Sequence, residues 1–392
     1  MHLGGLVMKY IENQNLKLIK LGDYIKKSTS NNGDLKYGEE FIVGVSNKGI
    51  FTEPKGNVSG VNLKPYKIVN KGAFVYNPSR LDLGSIAYRT DEVCIVSHLY
   101  QIFYLNEAGK KIINPDYLFM YFRRKEFYRE VTFRNFGSQR PEFNLKDMSE
   151  LEILLPDIQI QQKYVDVYNA MLDNQQCYER GLEDLKLVCD AYIEDLRRNM
   201  HCEPIGKYIN RYDVRNGSNG TKNVMGVSTS KEFREPTSKV NRNELSNYKV
   251  VKPRQISFVQ TTHNEKVFAY AFNNTDEDIV VTSVNEVFSV DEERLLPEYL
   301  SMFFNRTEFD RFARFHSWGS ARETFTWNDL IKVEFPIADM TIQKSIADIY
   351  TAYKERKSIN EKLKSQIKDI CPILIKGSIE EAKKIKGGII YG

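Results

Sequence analysis

Residues 115–147, PDYLFMYFRRKEFYREVTFRNFGSQRPEFNLKD, align without a gap with residues 297–329, PEYLSMFFNRTEFDRFARFHSWGSARETFTWND. The offset is 182 residues, and 15 of the 33 positions are identical. Unrelated segments of ordinary composition share about two such positions. The chain therefore contains an internal duplication, and each copy is predicted to fold as one structural unit.

The same offset relates shorter segments upstream. Residues 44–46 (Gly-Val-Ser) fall on residues 226–228, and Tyr66-Lys67 falls on Tyr248-Lys249. The copies lose register in the zones 77–106 and 259–291, where one of them needs a small insertion or deletion. Residues common to both copies indicate a common scaffold or common contacts. Residues that differ mark the positions at which two ligands can be distinguished.

Each copy opens with short runs of β-branched and aromatic residues separated by turn residues, a pattern typical of strands. The runs are residues 40–45, 66–69, 73–76, 92–96 and 100–105 in the first copy, and 224–227, 248–251, 256–260, 279–282 and 286–290 in the second. A helix is predicted next, because Pro115 and Pro297 stand where proline is tolerated in a first helical turn. The pattern predicts an α+β fold with two tandem, repeated mixed α/β domains.

A long helix is predicted after each domain, beginning behind Pro156 and Pro336. In the first helix the residues of one face alternate four and three apart, which is a coiled-coil seam sustained over more than four heptads. The seam consists of Tyr164, Tyr168, Met171, Gln175, Tyr178, Leu182, Leu185, Cys189, Tyr192 and Leu196. The second helix is less regular, with Arg356 and Asn360 on its seam, and Pro372 is predicted to kink or end it.

Two units related by a two-fold axis would place these helices antiparallel. We therefore predict an antiparallel coiled coil that holds the two domains apart. The alternative is that each helix packs only on its own domain. The predicted boundaries are 1–156 for the first domain, 157–200 for the first helix, 201–336 for the second domain and 337–386 for the second helix.

Composition restricts the possible classes without choosing one. The net charge is +4, and a pI of about 8.5 does not by itself identify a nucleic-acid-binding protein. The five cysteines form no Cys-x-x-Cys pair. This pattern favours reduced thiols, so we expect a cytoplasmic protein. No apolar run is long enough to span a membrane. Residues 1–7 are too short for a signal peptide, and Met8 is an equally good start.

One string suggests catalysis, namely residues 114–117 (Asn-Pro-Asp-Tyr), which is similar to the Asn-Pro-Pro-Tyr of amino-methyltransferases. The second copy has Leu-Pro-Glu-Tyr at 296–299, so only the helix-start residues recur. The chain also lacks a glycine-rich cofactor loop, a phosphate-binding loop and a Gly-x-Ser-x-Gly elbow. The five histidines are dispersed. We expect no catalytic residue and no metal site.

The Gly-Ser-x-Arg segments, present in both copies, are candidates for DNA contact. A hydroxyl and a guanidinium behind a glycine suit phosphate oxygens, so these residues would supply register and affinity. The candidates are Ser138, Gln139, Arg140, Ser320 and Arg322. The alternative is a loop that caps a helix while its arginine pairs with a carboxylate.

A second set of polar residues differs between the copies and suits base reading. Amide side chains match adenine, and Arg and Lys match guanine, by their donor and acceptor pattern. The candidates are Asn77, Ser79, Arg80, Gln260, Thr261, His263, Asn264 and Lys266. The alternative is a polar loop that contacts nothing.

Together these features resemble the specificity (S) subunits of type I restriction–modification systems, and the resemblance covers nearly the whole chain. It rests on Leu21-Gly22-Asp23 echoed by Ile205-Gly206-Lys207, on residues 77–80 before Gly84-Ser85, on the Gly-Ser-x-Arg segments, and on Pro156 with Gln161-Gln162 and Pro336 with Gln343-Lys344. The repeated order of domain, proline, glutamine and long helix is its most specific part.

The resemblance implies a non-catalytic subunit whose two target recognition domains each read one half of a split DNA sequence. It implies double-stranded DNA, two modification (methyltransferase) subunits and restriction or translocase subunits as partners. S-adenosylmethionine, ATP and Mg would then be bound by those partners, and this chain would hold no cofactor. Two other classes remain open from the residues: a two-domain scaffold that binds no DNA, and the recognition part of a fused restriction–methylation enzyme.

Overall fold

The structure, a computed structural model, describes residues 15–134, 142–218, 220–261, 267–317 and 323–384. The chain forms two compact units. Unit 1 consists of Met1–Gln176 and Glu361–Gly392, and unit 2 consists of Cys177–Asn360. Each unit therefore contains one copy of the repeat together with segments of both long helices.

In the described part of the first copy, ten strands and four short α-helices precede the first long helix. The strands are β1 (Leu16–Lys20), β2 (Ile25–Lys27), β3 (Gly44–Val45), β4 (Phe51–Thr52), β5 (Lys67–Val69), β6 (Phe74–Tyr76), β7 (Ile86–Tyr88), β8 (Cys94–Val96), β9 (Gln101–Leu105) and β10 (Glu152–Pro156). The helices are α1 (Gly109–Ile112), α2 (Pro115–Phe122), α3 (Lys125–Arg134) and α4 (Leu145–Ser149), followed by the long α5 (Ile158–Asn199). The predicted strand 40–45 is shorter than expected, because Glu39–Phe41 form a 3₁₀ turn.

The second copy repeats this series. Its strands are β11 (Cys202–Pro204), β12 (Ile209–Arg211), β13 (Gly226–Val227), β14 (Phe233–Arg234), β15 (Lys249–Val251), β16 (Ile256–Val259), β17 (Tyr270–Phe272), β18 (Ile279–Val281), β19 (Asn285–Val290) and β20 (Glu334–Pro336). Its helices are α6 (Pro297–Asn305), α7 (Thr307–Phe315) and α8 (Trp327–Leu330), followed by α9 (Met340–Lys368) and α10 (Ile370–Lys384).

Strand pairing is the same in both units. Each has a four-stranded antiparallel sheet, ordered β2-β9-β6-β7 in unit 1 and β12-β19-β16-β17 in unit 2. Three two-stranded pairings accompany each sheet: β1-β10, β3-β4 and β5-β8, or β11-β20, β13-β14 and β15-β18. The predicted α+β fold with a duplicated mixed domain is confirmed.

The zone in which the copies lose register is a hairpin of different length. Phe74 of β6 pairs with Tyr88, whereas its repeat equivalent Ile256 pairs with Phe272. The separation is therefore 88 − 74 = 14 residues in unit 1 and 272 − 256 = 16 in unit 2. The predicted insertion is two residues between β16 and β17. It lies where the base-reading candidates were placed.

Each copy has an aromatic core between its four-stranded sheet and the helices that follow. In unit 1 Phe74 stacks on Phe103 with ring centroids 5.0 Å apart, and Phe122 of α2 meets both rings edge-on. In unit 2 Phe268 packs against Phe304 of α6. Such pairs add to the free energy gained by burying the rings. The shared Pro-x-Tyr-Leu-x-Met-x-Phe run of α2 and α6 is therefore the core-forming part of the duplicated segment.

The Leu-Gly-Asp and Ile-Gly-Lys echoes have a structural cause. A Cβ on Gly22 would lie 2.7 Å from the carbonyl oxygen of Ser149, and a Cβ on Gly206 would lie 2.7 Å from that of Ile331. Only glycine allows the backbone to approach so closely. In both units this approach joins the first strand to the turn before the last strand.

The seam predicted for α5 is correct over most of its length and wrong near its end. Tyr192 is 50% exposed, and Ile193 is fully buried in its place. A straight α-helix has 3.6 residues per turn, so a strict 3.5-residue repeat drifts around the helix until the neighbouring residue takes over the buried face. Cys189 and Leu196 are buried as predicted.

The second long helix is interrupted near Pro372, as predicted. α9 ends at Lys368 and α10 begins at Ile370, so that Pro372 lies in the first turn of a new helix, where its missing N–H is tolerated. Of the two irregular seam residues, Asn360 is buried and Arg356 is exposed. The break follows from the covalent chemistry of proline alone.

Segments of the two long helices pack against each other within each unit, and in unit 1 they run antiparallel. In unit 1 the hydroxyl of Tyr164 in α5 donates to Glu381 at 3.1 Å, while Tyr168, one turn further on, lies against Cys371. In unit 2 Gly181 of α5 lies beside Arg356. Because α5 contributes to both units and α10 to unit 1, the alternative in which each helix packs only on its own domain is wrong.

Candidate nucleic-acid interface

In unit 1 the divergent loop, residues 77–85, begins where β6 ends. The Asn77 side-chain oxygen accepts the Ser79 N–H at 3.0 Å, and the Arg80 N–H donates to the Asn77 carbonyl at 3.1 Å. These bonds make a tight turn of the kind that Asn favours. Leu81 is fully buried and anchors the turn. The loop is therefore folded, with its polar tip held outward.

Two of the three predicted base readers of unit 1 reach solvent. Ser79 and Arg80 are exposed, and the Arg80 guanidinium has no ion-pair partner in the part of the chain that the structure describes. Asn77 is half-buried, and its side-chain oxygen accepts the Ser79 N–H of the turn. The side-chain NH₂ group of Asn77 is left to donate to a ligand. Arg80 is the best placed of the three to contact DNA.

The far end of the same loop is fixed from two sides. The buried Ser85 hydroxyl donates to the Val45 carbonyl at 3.0 Å. Arg123, directly after α2, donates through Nη1 to the Gly84 carbonyl at 2.8 Å. The guanidinium of Arg123 also lies over the ring of Tyr128 in α3, 6.0 Å from its centroid. A loop held at both ends presents its tip with little conformational freedom, which lowers the entropic cost of binding.

One backbone hydrogen bond recurs at the start of the divergent loop in both units. The N–H of Phe143 donates to the carbonyl of Pro78 at 3.0 Å, and the N–H of Phe325 donates to that of Gln260 at 2.8 Å. These pairs are repeat equivalents at the 182 offset. Phe143 and Phe325 come shortly after the Gly-Ser-x-Arg segments. The bond therefore brings the chain that leaves each shared segment against the start of each divergent loop.

Eight of the predicted contact residues lie outside the described residues. They are Ser138, Gln139, Arg140, His263, Asn264, Lys266, Ser320 and Arg322. The described neighbours fix where these segments start and end. Thr261, the last described residue before 262–266, forms an isolated bridge with Thr324, which follows 318–322.

In unit 2 the predicted base reader Gln260 is part of a charged network. Its amide Nε2 donates to Glu286 Oε1 at 2.7 Å. The same carboxylate accepts Nε and Nη2 of Arg211 at 2.9 and 2.6 Å, and Lys249 Nζ lies 3.3 Å from Oε2. Glu286 and Lys249 are buried, whereas 48% of the Arg211 side chain is exposed. The bidentate carboxylate raises the pKa of Arg211.

Sequence reasoning missed Arg211 and Glu286. Both stand in short strand-like runs, and 75 residues separate them along the chain. The available signal was a Glu in an otherwise apolar strand run, residues 285–290 (Asn-Glu-Val-Phe-Ser-Val). A carboxylate in such a position needs a cationic partner, because burying it alone costs several kcal/mol.

A cation supports the divergent loop in both units, but it comes from different elements. In unit 2 Lys231, with a left-handed φ of +62°, donates to the Phe304 carbonyl at 2.8 Å and to Asp310 at 2.9 Å. Burial lowers the pKa of this lysine. Asp310 also accepts the N–H of Phe268, at the end of the loop, at 3.0 Å. The equivalent of Lys231 in unit 1 is Gly49, and there Arg123 supplies the charge.

Two exposed phenylalanines occupy equivalent positions in the two units. Phe133 is 82% exposed at the end of α3, and Phe315 is 81% exposed at the end of α7. The other shared phenylalanine of each helix, Phe127 or Phe309, is buried. Arg134 and Arg314 flank the exposed rings. Leaving a Phe side chain in water forgoes about 1.5–3 kcal/mol of burial, so the duplicated exposure indicates a contact surface.

The remaining sequence motifs have structural roles. The Asn114 side chain caps α2 by accepting the N–H groups of Asp116 and Tyr117 at 2.9 and 3.2 Å, so the methyltransferase-like string is a helix start. Gln161 and Gln343 are both fully buried, and each has three hydrogen-bond partners at equivalent positions of its unit. Gln161 donates to the carbonyls of Ile112 and Pro156 and accepts the N–H of Asn114, at 2.7–2.9 Å.

Two further observations concern only the described residues. No group of three or more His, Cys, Asp or Glu is arranged to hold a metal ion in these ranges. In the same ranges, no helix combines the length and the apolar character needed to cross a membrane.

Comparison with known proteins agrees with this geometry. Residues 9–179 match the family model of the "Type I restriction modification DNA specificity domain". The fold is similar to that of the type I restriction-modification system S subunit from M. genitalium, with a TM-score of 0.59 and 11% identity over 94% of this chain and 96% of that chain. The HsdS subunit from Thermoanaerobacter tengcongensis aligns at 12% identity and a TM-score of 0.42, over 94% and 96% of the two chains. No curated protein matches the sequence.

The first copy of the repeat thus belongs to the type I restriction–modification DNA specificity domain family. The second copy repeats its sequence and its strand order. The family match confirms the resemblance predicted from the sequence and supports a role in DNA sequence recognition. The similarity to the solved S subunit concerns the fold.

Proposed function

We propose that this chain reads a bipartite DNA target, with one half-sequence read by each unit. The recognition domains would be residues 1–156 and 201–336, and the helical segments 157–200 and 337–386 would set the spacer between the half-sites. The observation that carries the proposal is the Phe143–Pro78 bond and its repeat equivalent Phe325–Gln260. Each bond attaches the chain that follows a shared segment to the start of a divergent loop, and such an attachment suits two related readers of different sequences.

Base reading is assigned to the divergent residues. In unit 1 these are Asn77, Ser79 and Arg80, and in unit 2 they are Gln260, Thr261, His263, Asn264 and Lys266. Backbone contact is assigned to Ser138, Gln139, Arg140, Ser320 and Arg322. Phosphate contacts fix register without carrying sequence information, whereas base-edge contacts discriminate. The serine and arginine of these segments, identical in both units, suit the first task, and the residues of the divergent loops suit the second. Gln139, whose equivalent is Ala321, is included because of its position in the segment.

The partners proposed are two modification subunits and, in the full system, restriction or translocase subunits. Support comes from α5, whose Leu187, Val188 and Tyr192 are 70%, 43% and 50% exposed. A helix that already buries one face and still exposes a cluster of apolar side chains fits a protein partner. S-adenosylmethionine, ATP and Mg would be bound by those subunits, and the complex would work on cytoplasmic DNA.

The deciding experiment is methylation-pattern sequencing of DNA treated with the complex of this chain and a modification subunit. One bipartite motif is expected. Exchange of residues 40–110 for the same region of a related subunit is expected to change one half-sequence only. A change in both halves would contradict the assignment of one unit to one half-site.

Salt dependence of DNA binding tests the competing scaffold class. Phosphate contacts release counterions, so log K should fall linearly with log salt, with a slope of about 0.9 per phosphate contacted. A complex that shows no binding at any salt concentration would favour a scaffold without DNA contact.

A further inference from the structure

The buried carboxylate of Glu286 joins two side chains of unit 2, namely Arg211 of β12 and Gln260, which directly follows β16. Gln260 is bound at Oε1, and Arg211 is bound by a two-point fork at both oxygens. Lys249, on the buried side of the carboxylate, lies between Glu286 and Asp213, at 3.3 and 3.2 Å. The carboxylate is 4% exposed, so its orientation is fixed by these donors and by packing.

Among the described residues of unit 1, no such network forms at the same place. Strand register shows that Gln101 is the equivalent of Glu286, because Tyr76 pairs with Gln101 as Phe258 pairs with Glu286. In the same way Lys27 is the equivalent of Arg211, because Lys27 pairs with Phe103 as Arg211 pairs with Phe288. The equivalent of Gln260 at the 182 offset is Pro78. The carboxylate–guanidinium–amide set is thus specific to unit 2, at the sheet end where the two units differ.

Bound in this way, Arg211 still has donors to offer. The fork to Glu286 uses Nε and one Nη2 hydrogen, which leaves Nη1 and the second Nη2 hydrogen at the outer end of a guanidinium that is about half exposed. Two parallel donors match the O6 and N7 acceptors of guanine in the major groove. Gln260 retains its carbonyl oxygen and one amide hydrogen, which match N6 and N7 of adenine.

We propose that Arg211 reads a guanine in the half-site of unit 2, and that Glu286 positions both Arg211 and Gln260 for base reading. The inference rests on the proposed function and names residues for one of its two readers. Glu286 acts through Arg211 and Gln260 and does not touch DNA. Equal weakening on all duplexes would instead indicate a phosphate contact, which carries no sequence information.

The test uses the full complex with its modification subunits. Wild-type methylation sequencing first defines the two half-sites. Binding is then measured by competition among duplexes that each carry one substituted base pair. For Glu286→Gln and Arg211→Lys, discrimination should fall about tenfold or more at one shared guanine position of the second half-site. Gln260→Ala should act at a neighbouring position, and the first half-site should be unaffected.

Glu292→Gln is the matched control, because Glu292 also pairs with an arginine of unit 2, Arg254, but at an exposed site. It should leave every base preference unchanged. If Glu286→Gln does not fold, Arg211→Lys tests the proposal instead. Position 211 is about half exposed, and lysine keeps the positive charge there. Unchanged base preference in Arg211→Lys, or equal weakening on all duplexes, overturns the proposal. A wild-type complex without base preference instead refutes the proposed function itself.

Discussion

The backbone N–H of Phe325 donates to the carbonyl of Gln260 over 2.8 Å. This bond joins the end of the segment that both copies share to the start of the loop in which they differ. Its equivalent in the other unit has nearly the same length, 3.0 Å, although Gln260 is there replaced by Pro78. A backbone bond is indifferent to the side chains it joins. The base-reading loop can therefore change its residues without losing its attachment.

Removing the buried glutamine at the start of a long helix is expected to destabilise its unit. Gln161→Ala leaves the N–H of Asn114 and the carbonyls of Ile112 and Pro156 without partners. Since each unsatisfied buried group costs about 1–3 kcal/mol, the free energy of unfolding should fall by about 3 kcal/mol, measured by urea denaturation. The exposed Gln176→Ala in the same helix is the control and should change it by less than about 0.5 kcal/mol. Equal effects of the two variants would contradict this role of Gln161.

Alanine at Gly206 should destabilise unit 2, because its Cβ would lie 2.7 Å from the Ile331 carbonyl oxygen, a backbone atom that cannot turn away. We expect a loss of about 2 kcal/mol in the free energy of unfolding. At Gly56 a Cβ meets nothing within 4 Å. Gly56→Ala should therefore leave stability unchanged or raise it by about 0.5 kcal/mol. Calorimetry of the two variants checks both signs, and a stable Gly206→Ala protein would show that the close approach is not required.

The exposed rings of Phe133 and Phe315 are expected to contact DNA independently of sequence. Phe133→Ala and Phe315→Ala should each weaken binding of the assembled complex about tenfold, equally for cognate and altered duplexes, because apolar side chains that insert at base steps read no base edges. Their thermal stability should match that of the wild type, since the rings are 82% and 81% exposed. Leu18, exposed on β1, supplies the control variant Leu18→Ala. Loss of modification-subunit assembly would instead identify these rings as a protein contact.

The cysteines should react in an order set by burial. Cys177 is exposed, whereas Cys94, Cys189 and Cys371 are buried, and burial raises the pKa of each of these three thiols to about 11. At pH 8 only about one such thiol in a thousand is ionised, and the thiolate is the reactive form. A disulfide reagent should therefore label Cys177 rapidly and the three buried thiols only on unfolding. Cys177→Ser should remove the rapid phase and leave the slower reaction of the half-buried Cys202. A rapid phase of undiminished amplitude would show that a thiol other than Cys177 is fully accessible.

The same three thiols give stability a pH dependence of known sign. Between pH 9 and about 11 the folded state keeps protons that the unfolded state has lost. The free energy of unfolding contributed by these groups must then fall as pH rises through this window. Urea denaturation at several pH values should show a shallower decline for Cys189→Ala than for the wild type. An identical slope in the two proteins would remove Cys189 from the titrating set.

Much of the fold could be predicted from local chemistry. Pro115 and Pro297 marked helix starts, and Pro372 marked a helix break, because a residue without an N–H restricts its own backbone wherever it stands. The seam of α5 failed at Tyr192 because the buried face depends on helix geometry accumulated over many turns.

The sequence predicts only some residues of the candidate site. The position of Gln260 and Arg80 in the divergent zone identifies them as candidates, but nothing in the sequence indicates that Gln260 is bound to Glu286. Arg211 was missed, since nothing near it in the chain signals a partner 75 residues away.

The sequence by itself determined that there are two copies, where their shared and divergent parts lie, and where helices begin and break. Each of these depends on residue identity at fixed spacing. Only the tertiary structure decided which side chains meet: the pairing of Arg211 with Glu286, the replacement of Lys231 by Arg123 between the units, and the membership of α10 in unit 1. These contacts are set by strand register and helix packing over long chain separations, and neither quantity is fixed by any local stretch of residues.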